Sequence, residues 1–225
     1  MKATKIIEVE PGAAWPHDLK ALMLSRFGRE DRARAERAAA DALRPASRSE
    51  HDVYFAGLMA LEQGDDDRAL ELFSELIVVR PNDPEAAALR AQAQERLGEL
   101  DDAVLDYRSA SALAPQDFAH PFNIGRLYQL KGDLEASRRY LTRAQELEPE
   151  HGIVYEGLSD NSLARGRDML YAGDPENARV EFERAEQEAR RALALDPDLP
   201  AGHLNLGASL VEQTRLSGFR TGRTP

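Results

Sequence analysis

Residues 52–83 have the sequence DVYFAGLMALEQGDDDRALELFSELIVVRPND. Apolar residues recur in it at the spacing of two amphipathic helices, with Gly64 between the helices and Pro81 after the second. A glycine can adopt the left-handed conformation that ends a helix, and a proline disfavours helical geometry at the residue before it. The stretch therefore predicts a pair of helices joined by a short turn.

The same pair recurs along the chain. Its landmarks repeat at one constant interval, as the closing prolines Pro81, Pro115 and Pro149 and the turn glycines Gly64, Gly98 and Gly132. A weaker copy upstream has its turn glycine at Gly28. Repetition at a fixed interval is typical of proteins in which neighbouring units stack and bury a shared core. An all-α protein is therefore expected.

This pattern resembles the tetratricopeptide repeat, whose second helix carries an alanine, an aromatic residue four positions later and a closing proline. Ala69 and Phe73 match it in one repeat, Ala103 and Tyr107 match it in the next, and Ser137 replaces the alanine in the third. The resemblance implies an all-α, right-handed α-solenoid of antiparallel helix pairs, a TPR-like superhelix. It also implies that the first helix of each pair lines a concave groove.

The repeat spacing divides the chain into eight expected segments. They are an N-terminal extension (1–15), a degenerate TPR-like helix pair (16–49), three tetratricopeptide repeats (50–83, 84–117 and 118–151), an extended TPR-like helical hairpin (152–199), a capping or incomplete repeat helix (200–213) and a flexible basic tail (214–225). Terminal units of a repeat array are expected to depart from the consensus because only one of their faces is covered.

The extended hairpin is inferred from a change in spacing. Pro197 lies fourteen positions further from Pro149 than the constant interval requires, and the turn glycine Gly173 arrives seven positions late, so each helix gains one heptad. A heptad is two helical turns less about 20°, which keeps the buried face in register. We expect residues 152–196 to project beyond the array by about 10 Å. The apolar residues near its tip are Met169, Leu170, Tyr171, Val180 and Phe182. Two interpretations stay open for them. Either they pack within the hairpin and on the next helix, or they form an interaction surface.

The predicted C-terminal helix, residues 200–213, is apolar for a helix that caps an array. Leu204, Leu206, Leu210 and Val211 lie along it, and residues 214–225 are too rich in glycine and polar residues to predict a second helix. Either these apolar residues pack on the extended hairpin, or the chain is a piece of a longer array. The helix is also a candidate surface for self-association.

Charge and composition restrict the classes of partner. The net charge is −11, and residues 50–213 hold 33 acidic against 16 basic residues, which disfavours nucleic acid. A neutral or basic protein or peptide partner with apolar anchors is expected. The chain has no cysteine, no apolar run long enough to span a bilayer and no apolar leader segment, so we expect a cytoplasmic protein without membrane contact.

Catalytic and cofactor motifs are not recognisable in the sequence. The five histidines form neither an H-x₃-H pair nor an HExxH motif, and no glycine-rich phosphate loop occurs. We therefore expect no catalytic residue, no metal and no cofactor, and interpret the chain as a non-enzymatic scaffold that binds a partner in the concave groove. The alternative is a regulatory segment of a larger enzyme, a kinase or a transferase, whose catalytic part lies outside this chain.

The groove residues implied by the resemblance are those of the first helices that do not face neighbouring helices. They are Tyr54, Phe55, Leu58, Leu89, Phe122, Asn123, Arg126, Asp160, Leu204 and Asn205. Asn123 and Asn205 stand where some related repeats use an asparagine to bond the backbone of an extended peptide, which an amide can do because it both donates and accepts. Ordinary polar groove residues are the other interpretation of these two.

A chaperone-tail receptor is not expected. The family's carboxylate clamp needs lysine and asparagine in one repeat, then lysine and arginine two repeats later. Tyr54, Leu58 and Phe122 occupy the first three of these places, and only Arg126 fits. The resemblance therefore favours a peptide with an apolar or aromatic anchor.

Overall fold

The computed structural model describes residues 14–43 and 49–220, with the side chains of residue 41 and residues 218–220 excepted. Within these residues the chain forms eleven α-helices and no strand. The helices are α1 (Trp15–Arg26), α2 (Glu30–Leu43), α3 (Glu50–Gln63), α4 (Asp66–Val79), α5 (Pro84–Leu97), α6 (Leu100–Leu113), α7 (Ala119–Leu130), α8 (Leu134–Leu147), α9 (Gly152–Tyr171), α10 (Pro175–Leu195) and α11 (Pro200–Arg220).

The turn inside each helix pair is built on a glycine in the left-handed region. Gly28, Gly64, Gly98, Gly132 and Gly173 have φ angles between 68° and 81°, and they are the positive-φ residues of the described chain. A side chain at such a position would strain the backbone. These are the turn glycines expected from the sequence, so the predicted helix–turn–helix units are confirmed.

An aspartate follows the glycine in several of these turns and caps the next helix. The Asp65 carboxylate accepts a hydrogen bond from the Arg68 backbone N–H at 3.2 Å, and Asp133 accepts one from the Ala136 N–H at 2.9 Å. These bonds satisfy backbone donors that the first turn of a helix leaves without partners. Charged residues in the glycine turns therefore stabilise helix starts.

Close packing in three of the pairs depends on a helical glycine that meets a bulky side chain of the second helix. The pairs share one sequence separation and are Gly57–Phe73, Gly125–Leu141 and Gly166–Phe182. A Cβ atom added to each glycine would lie 2.7, 2.7 and 2.5 Å, respectively, from the opposing side chain. In these three pairs the glycine leaves room for the opposing side chain, so that the second helix can approach the first.

The described helices form two compact units, α1–α6 and α7–α11. The core of the first unit is centred on Phe73, Leu72 and Leu76 of α4, with Val53 and Ala86 from the helices on either side. A smaller cluster joins Ala21 and Leu22 of α1 to Met59 of α3. Burial of these apolar side chains, worth roughly 25 cal/mol per Å² removed from water, is the main stabilising contribution in this unit.

The second unit has two clusters along its length. Phe122, Leu141, Ala144, Val154 and Leu158 join α7, α8 and the first half of α9. The other cluster, made of Leu163, Ala178, Phe182 and Ala185, lies between the second half of α9 and α10. The first half of α9 thus shares a cluster with the preceding helix pair, and its second half shares a separate cluster with α10.

The extra residues of the extended pair are present in both helices. α9 has 20 residues and α10 has 21, whereas the preceding helices α3 and α7 have 14 and 12. α11 is equally long, with 21 residues, and its Ala208 and Leu216 pack against the Leu163–Phe182 cluster. The longer pair therefore has a helix of matching length beside it and does not project alone.

Some of the apolar residues near the tip of the pair pack inside the protein, and others are exposed. Phe182 is fully buried, and Met169 and Leu170 pack against its cluster, which confirms the packing interpretation for these three. Tyr171 and Val180 are 92% and 52% exposed.

The C-terminal helix is longer than predicted. We expected it to end at residue 213, but α11 continues to Arg220, and Leu216 packs against the cluster that the longer α9 and α10 create. This contact stabilises two further helical turns in a segment that has poor helix propensity. The expected flexible tail is therefore helical over residues 214–220, and the rest of it lies outside the described residues, as do residues 1–13 of the expected N-terminal extension.

Candidate peptide-binding surface

The first helices of the second unit, α7, α9 and α11, lie side by side, with α9 in contact with both others. Polar side chains connect them along one side. Gln129 on α7 donates a hydrogen bond through Nε2 to Asp160 Oδ2 on α9 at 3.1 Å, and Asn205 Nδ2 on α11 donates to the Glu156 backbone carbonyl on α9 at 3.3 Å. We call this side the first-helix surface, and define it by Asn123, Arg126, Gln129, Glu156, Asp160 and Asn205.

Two carboxylates one helical turn apart dominate this surface. Burial raises the pKa of Glu156, the neighbouring charges of Asp160 and Asp196 raise it further, and the Arg126 guanidinium opposes them. Asp160 reaches solvent, but the protein atoms around its carboxylate raise its pKa by displacing water, against the opposing effects of Arg167 and the Gln129 hydrogen bond. Both raised pKa values mean that the protein surroundings stabilise the ionised carboxylates less than water does.

The cations near these carboxylates have other partners as well. Arg126 is exposed and donates through Nη1 to Asn123 Oδ1 at 3.4 Å. Arg167 contacts Glu212 of α11, with Nε 3.4 Å from Oε1. The pKa values of Glu156 and Asp160 stay raised despite the two arginines, so a further cation at this surface would stabilise both ionised acids.

The two asparagines of the predicted peptide ladder differ in their surroundings. Asn205 is 7% exposed, and its bond to the Glu156 carbonyl holds α11 against α9. Asn123 is half-buried and accepts a bond from Arg126, at the edge of the surface. Of this pair, Asn123 therefore has the more accessible side chain.

Two apolar candidates of this unit differ in burial. Phe122 is 9% exposed and packs in the Leu141–Val154–Leu158 cluster, so it stabilises the core and is not an open anchor for a peptide. Leu204 is 72% exposed on α11. The sequence spacing placed both on first helices correctly, but it did not show which of them is buried.

The four candidates of the first unit lie on α3 and α5. The Tyr54 hydroxyl donates to Glu85 Oε1 at 2.6 Å, and burial together with this bond raises the pKa of Tyr54. Phe55 stacks on Trp15 with ring centroids 5.3 Å apart. Leu58 and Leu89 are half-buried against the cluster around Phe73. These side chains mostly serve packing within the first unit.

Sequence reasoning missed Glu156 and Gln129. The signal was available for Glu156, because it stands one repeat interval after Phe122, just as Asp160 stands one repeat interval after Arg126. A glutamate at a position where the preceding repeat has phenylalanine indicates that the surface changes there from apolar to charged. Gln129 has no comparable signal, since its importance comes from the bond to Asp160.

No cluster of three or more His, Asp or Glu side chains suited to a metal ion occurs in the described part of the chain. Among the same residues, no helix combines the length and the apolar character needed to span a bilayer.

Comparison with known sequences identifies one repeat directly. Residues 122–151 match the family model described as "Tetratricopeptide repeat". DnaJ homolog subfamily C member 3 of Gallus gallus is 29% identical over 99 residues, which are 44% of this chain and 20% of that protein. The chain thus spans about a fifth of the length of this curated relative.

Solved structures extend the likeness to most of the chain. TTC0263, a thermophilic TPR protein of Thermus thermophilus, has a TM-score of 0.63 at 18% identity, with 88% of this chain and 100% of that chain covered. YrrB, described as a TPR protein with an unusual peptide-binding site, has a TM-score of 0.56 at 20% identity, with 90% and 96% covered. The APC/C hetero-tetramer Cut9–Hcn1 has a TM-score of 0.65 at 16% identity, with 92% and 38% covered.

These matches and the repeated helix pairs agree on the fold. Residues 122–151 match the tetratricopeptide repeat, the similar solved structures are TPR proteins, and the predicted all-α fold of antiparallel helix pairs is confirmed. Proteins of this fold generally mediate protein–protein interactions and are typically non-enzymatic.

Proposed function

We propose that this chain is a non-enzymatic interaction module that binds a basic segment of a partner protein on the first-helix surface of the second unit. The observation that carries the proposal is the Glu156–Asp160 pair, two carboxylates on one face of α9 whose pKa values are both raised. A lysine or arginine side chain placed between them would stabilise both ionised carboxylates. The peptide-binding site in the description of YrrB and the assembly in that of Cut9–Hcn1 support this class of function.

Geometry supports a contact with both carboxylates at once. Residues four apart on a helix lie about 6 Å from each other, within reach of one ammonium or guanidinium group. Arg126 and Asn123 border the pair and can bond the backbone of an extended peptide, since one donates and the other both donates and accepts. Because Phe122 is buried, the contact is mainly ionic, and the predicted apolar anchor stays a prediction.

The pH dependence of this binding follows from the raised pKa values. A bound cation favours the ionised carboxylates and lowers their pKa values, so binding releases protons wherever the free carboxyls still hold them. Affinity for a basic peptide therefore rises as the pH passes upward through the raised pKa values of Glu156 and Asp160.

The test uses a set of short extended peptides of equal length that differ only in a central Lys, Gln or Glu. Titrations followed by NMR should place the Lys peptide on α7 and α9, with weaker binding of the Gln peptide and weakest binding of the Glu peptide. Replacing both acids, Glu156→Gln with Asp160→Asn, should remove the preference for Lys. A matched control, Glu71→Gln with Glu75→Gln on α4, removes the same charge from exposed positions of the first unit.

Two results would contradict the proposal. One is a Lys preference that survives the loss of Glu156 and Asp160. The other is an equal loss of preference in the Glu71 and Glu75 control, which would mean that net charge alone attracts the peptide.

A further inference from the structure

The outer face of α11 is apolar and uncovered among the described residues. Leu204, Leu210 and Val211 are 72%, 43% and 52% exposed, and Gly207 lies between them. A Cβ atom added to Gly207 would have no described heavy atom within 4 Å, and the backbone there is ordinary helix. The face therefore contains a notch bordered by apolar side chains.

The repeats within the chain show what fills such a notch. Gly57, Gly125 and Gly166 each lie in the first helix of a pair and are covered by a bulky apolar side chain of the following helix. Gly207 is the eighth residue of α11, as Gly57 is the eighth residue of α3, and it follows a leucine as Gly125 follows an isoleucine. It thus has the register of a covered glycine, but α11 continues to Arg220 and no described second helix covers it.

The charges near α11 favour one orientation for a helix that covers this face. Beyond Glu212 the sequence has Arg215, Arg220 and Arg223 and no acid, whereas exposed Asp196 and Asp198 precede α11. The second helices of this chain start with acidic residues, as α4 does with Asp66 and Asp67. A helix antiparallel to α11 would place its acidic first turn beside Arg215, which favours both the ion pair and the dipole of that helix.

A groove continues this face on one side. It lies between α10 and α11, has a volume of about 1070 Å³, and is lined in part by Leu170, Leu210 and Leu216 together with Arg179 and Thr214. Because Leu210 borders both the groove and the face, a helix over Gly207 has apolar contacts on its side as well as beneath it.

We propose that the outer face of α11 docks an amphipathic helix of a partner protein, which lies antiparallel to α11 and inserts one bulky apolar side chain over Gly207. The partner helix has an acidic first turn, then a small residue, then the bulky residue four positions later, as in Asp66, Ala69 and Phe73 of α4. This surface is separate from Glu156 and Asp160, so the two proposals fail independently.

The probe is a capped peptide with the sequence of residues 133–148, DLEASRRYLTRAQELE, which contains α8 and the Leu141 that covers Gly125. We expect its NMR shift changes on the whole chain to centre on residues 204–215. A control peptide with Leu141→Ala should bind at least about tenfold more weakly, the loss expected for a central apolar anchor. The same loss is expected for the unmodified peptide with the Gly207→Leu protein, whose new side chain occupies the notch.

Folding and alternative occupants are checked in the same experiment. Because the position is helical and open, Gly207→Leu should keep the circular dichroism spectrum and not lower the melting temperature. Unchanged peptide binding by this variant overturns the proposal, as does the absence of shift changes at millimolar peptide. A dimer in light scattering that Gly207→Leu converts to monomer assigns the face to a second copy of the chain and also overturns it.

Discussion

Phe182 of α10 lies directly against Gly166 of α9, so closely that a Cβ atom on the glycine would be 2.5 Å from the phenylalanine Cε1. The spacing from Gly166 to Gly173, Ala178 and Phe182 equals the spacing from Gly57 to Gly64, Ala69 and Phe73. The tip of the extended pair is therefore an ordinary repeat crossing. The additional heptads lie at the other end of the pair, between this crossing and the base of the helices.

The first prediction compares two helical glycines. Gly166→Ala should lower the free energy of unfolding by about 1–3 kcal/mol, because the new methyl group forces Phe182 out of its place. Gly207→Ala should be neutral or raise it by up to about 1 kcal/mol, because alanine is the better helix former and the position is open. Urea denaturation measures both. Equal effects of the two substitutions would show that Phe182 adapts without cost.

The second prediction concerns the extra heptads. Removing residues 159–165 together with 186–192 keeps Gly166 against Phe182 and restores ordinary helix lengths, so the protein should fold. Removing either segment alone shifts one helix by a heptad against its partner and should be more destabilising than removing both. The double deletion still leaves Leu216 without its contacts. Ending the chain after Gln213 should therefore restore part of the stability that the double deletion loses, as thermal melting will show.

The third prediction is a stability change with pH. Glu156 has a raised pKa in the folded state, so the folded protein binds more protons than the unfolded chain as the pH rises past the usual glutamate value. Stability associated with this group is then greatest at low pH and is lost as the pH passes upward through the raised pKa. Glu156→Gln should therefore be more stable than the parent near neutral pH, with a difference that shrinks as the solution is acidified. A difference in stability that grows toward acid pH would show that the pKa of Glu156 is not raised in the folded state.

The fourth prediction separates the two asparagines. Asn205→Ala removes the bond to the Glu156 carbonyl and should cost about 1 kcal/mol of unfolding free energy, more if the carbonyl is left unsatisfied. Asn123→Ala, at the edge of the first-helix surface, should change stability little and weaken the Lys peptide. The check is a urea melt beside a peptide titration for each variant. An Asn205→Ala protein with unchanged stability but weaker peptide binding would indicate that Asn205 contacts the peptide.

Much of the local structure could be predicted from the sequence because it depends on few neighbouring residues. The constant repeat interval, the five left-handed glycines and the heptad added to each helix of the extended pair follow from helix periodicity and backbone sterics. These features appear wherever the chain has the same short pattern. They are largely independent of what lies beside them.

Side-chain burial, pKa values and the length of the last helix depend instead on tertiary contacts. The sequence placed Phe122, Asn205 and Glu156 on first helices, but the burial of Phe122, the bond from Asn205 to α9 and the raised pKa of Glu156 depend on which neighbouring helix each side chain meets. The length of α11 likewise depends on the apolar cluster that Leu216 reaches. Helix formation is set by residues within about one or two turns, whereas burial and pKa are set by atoms brought together from distant parts of the chain.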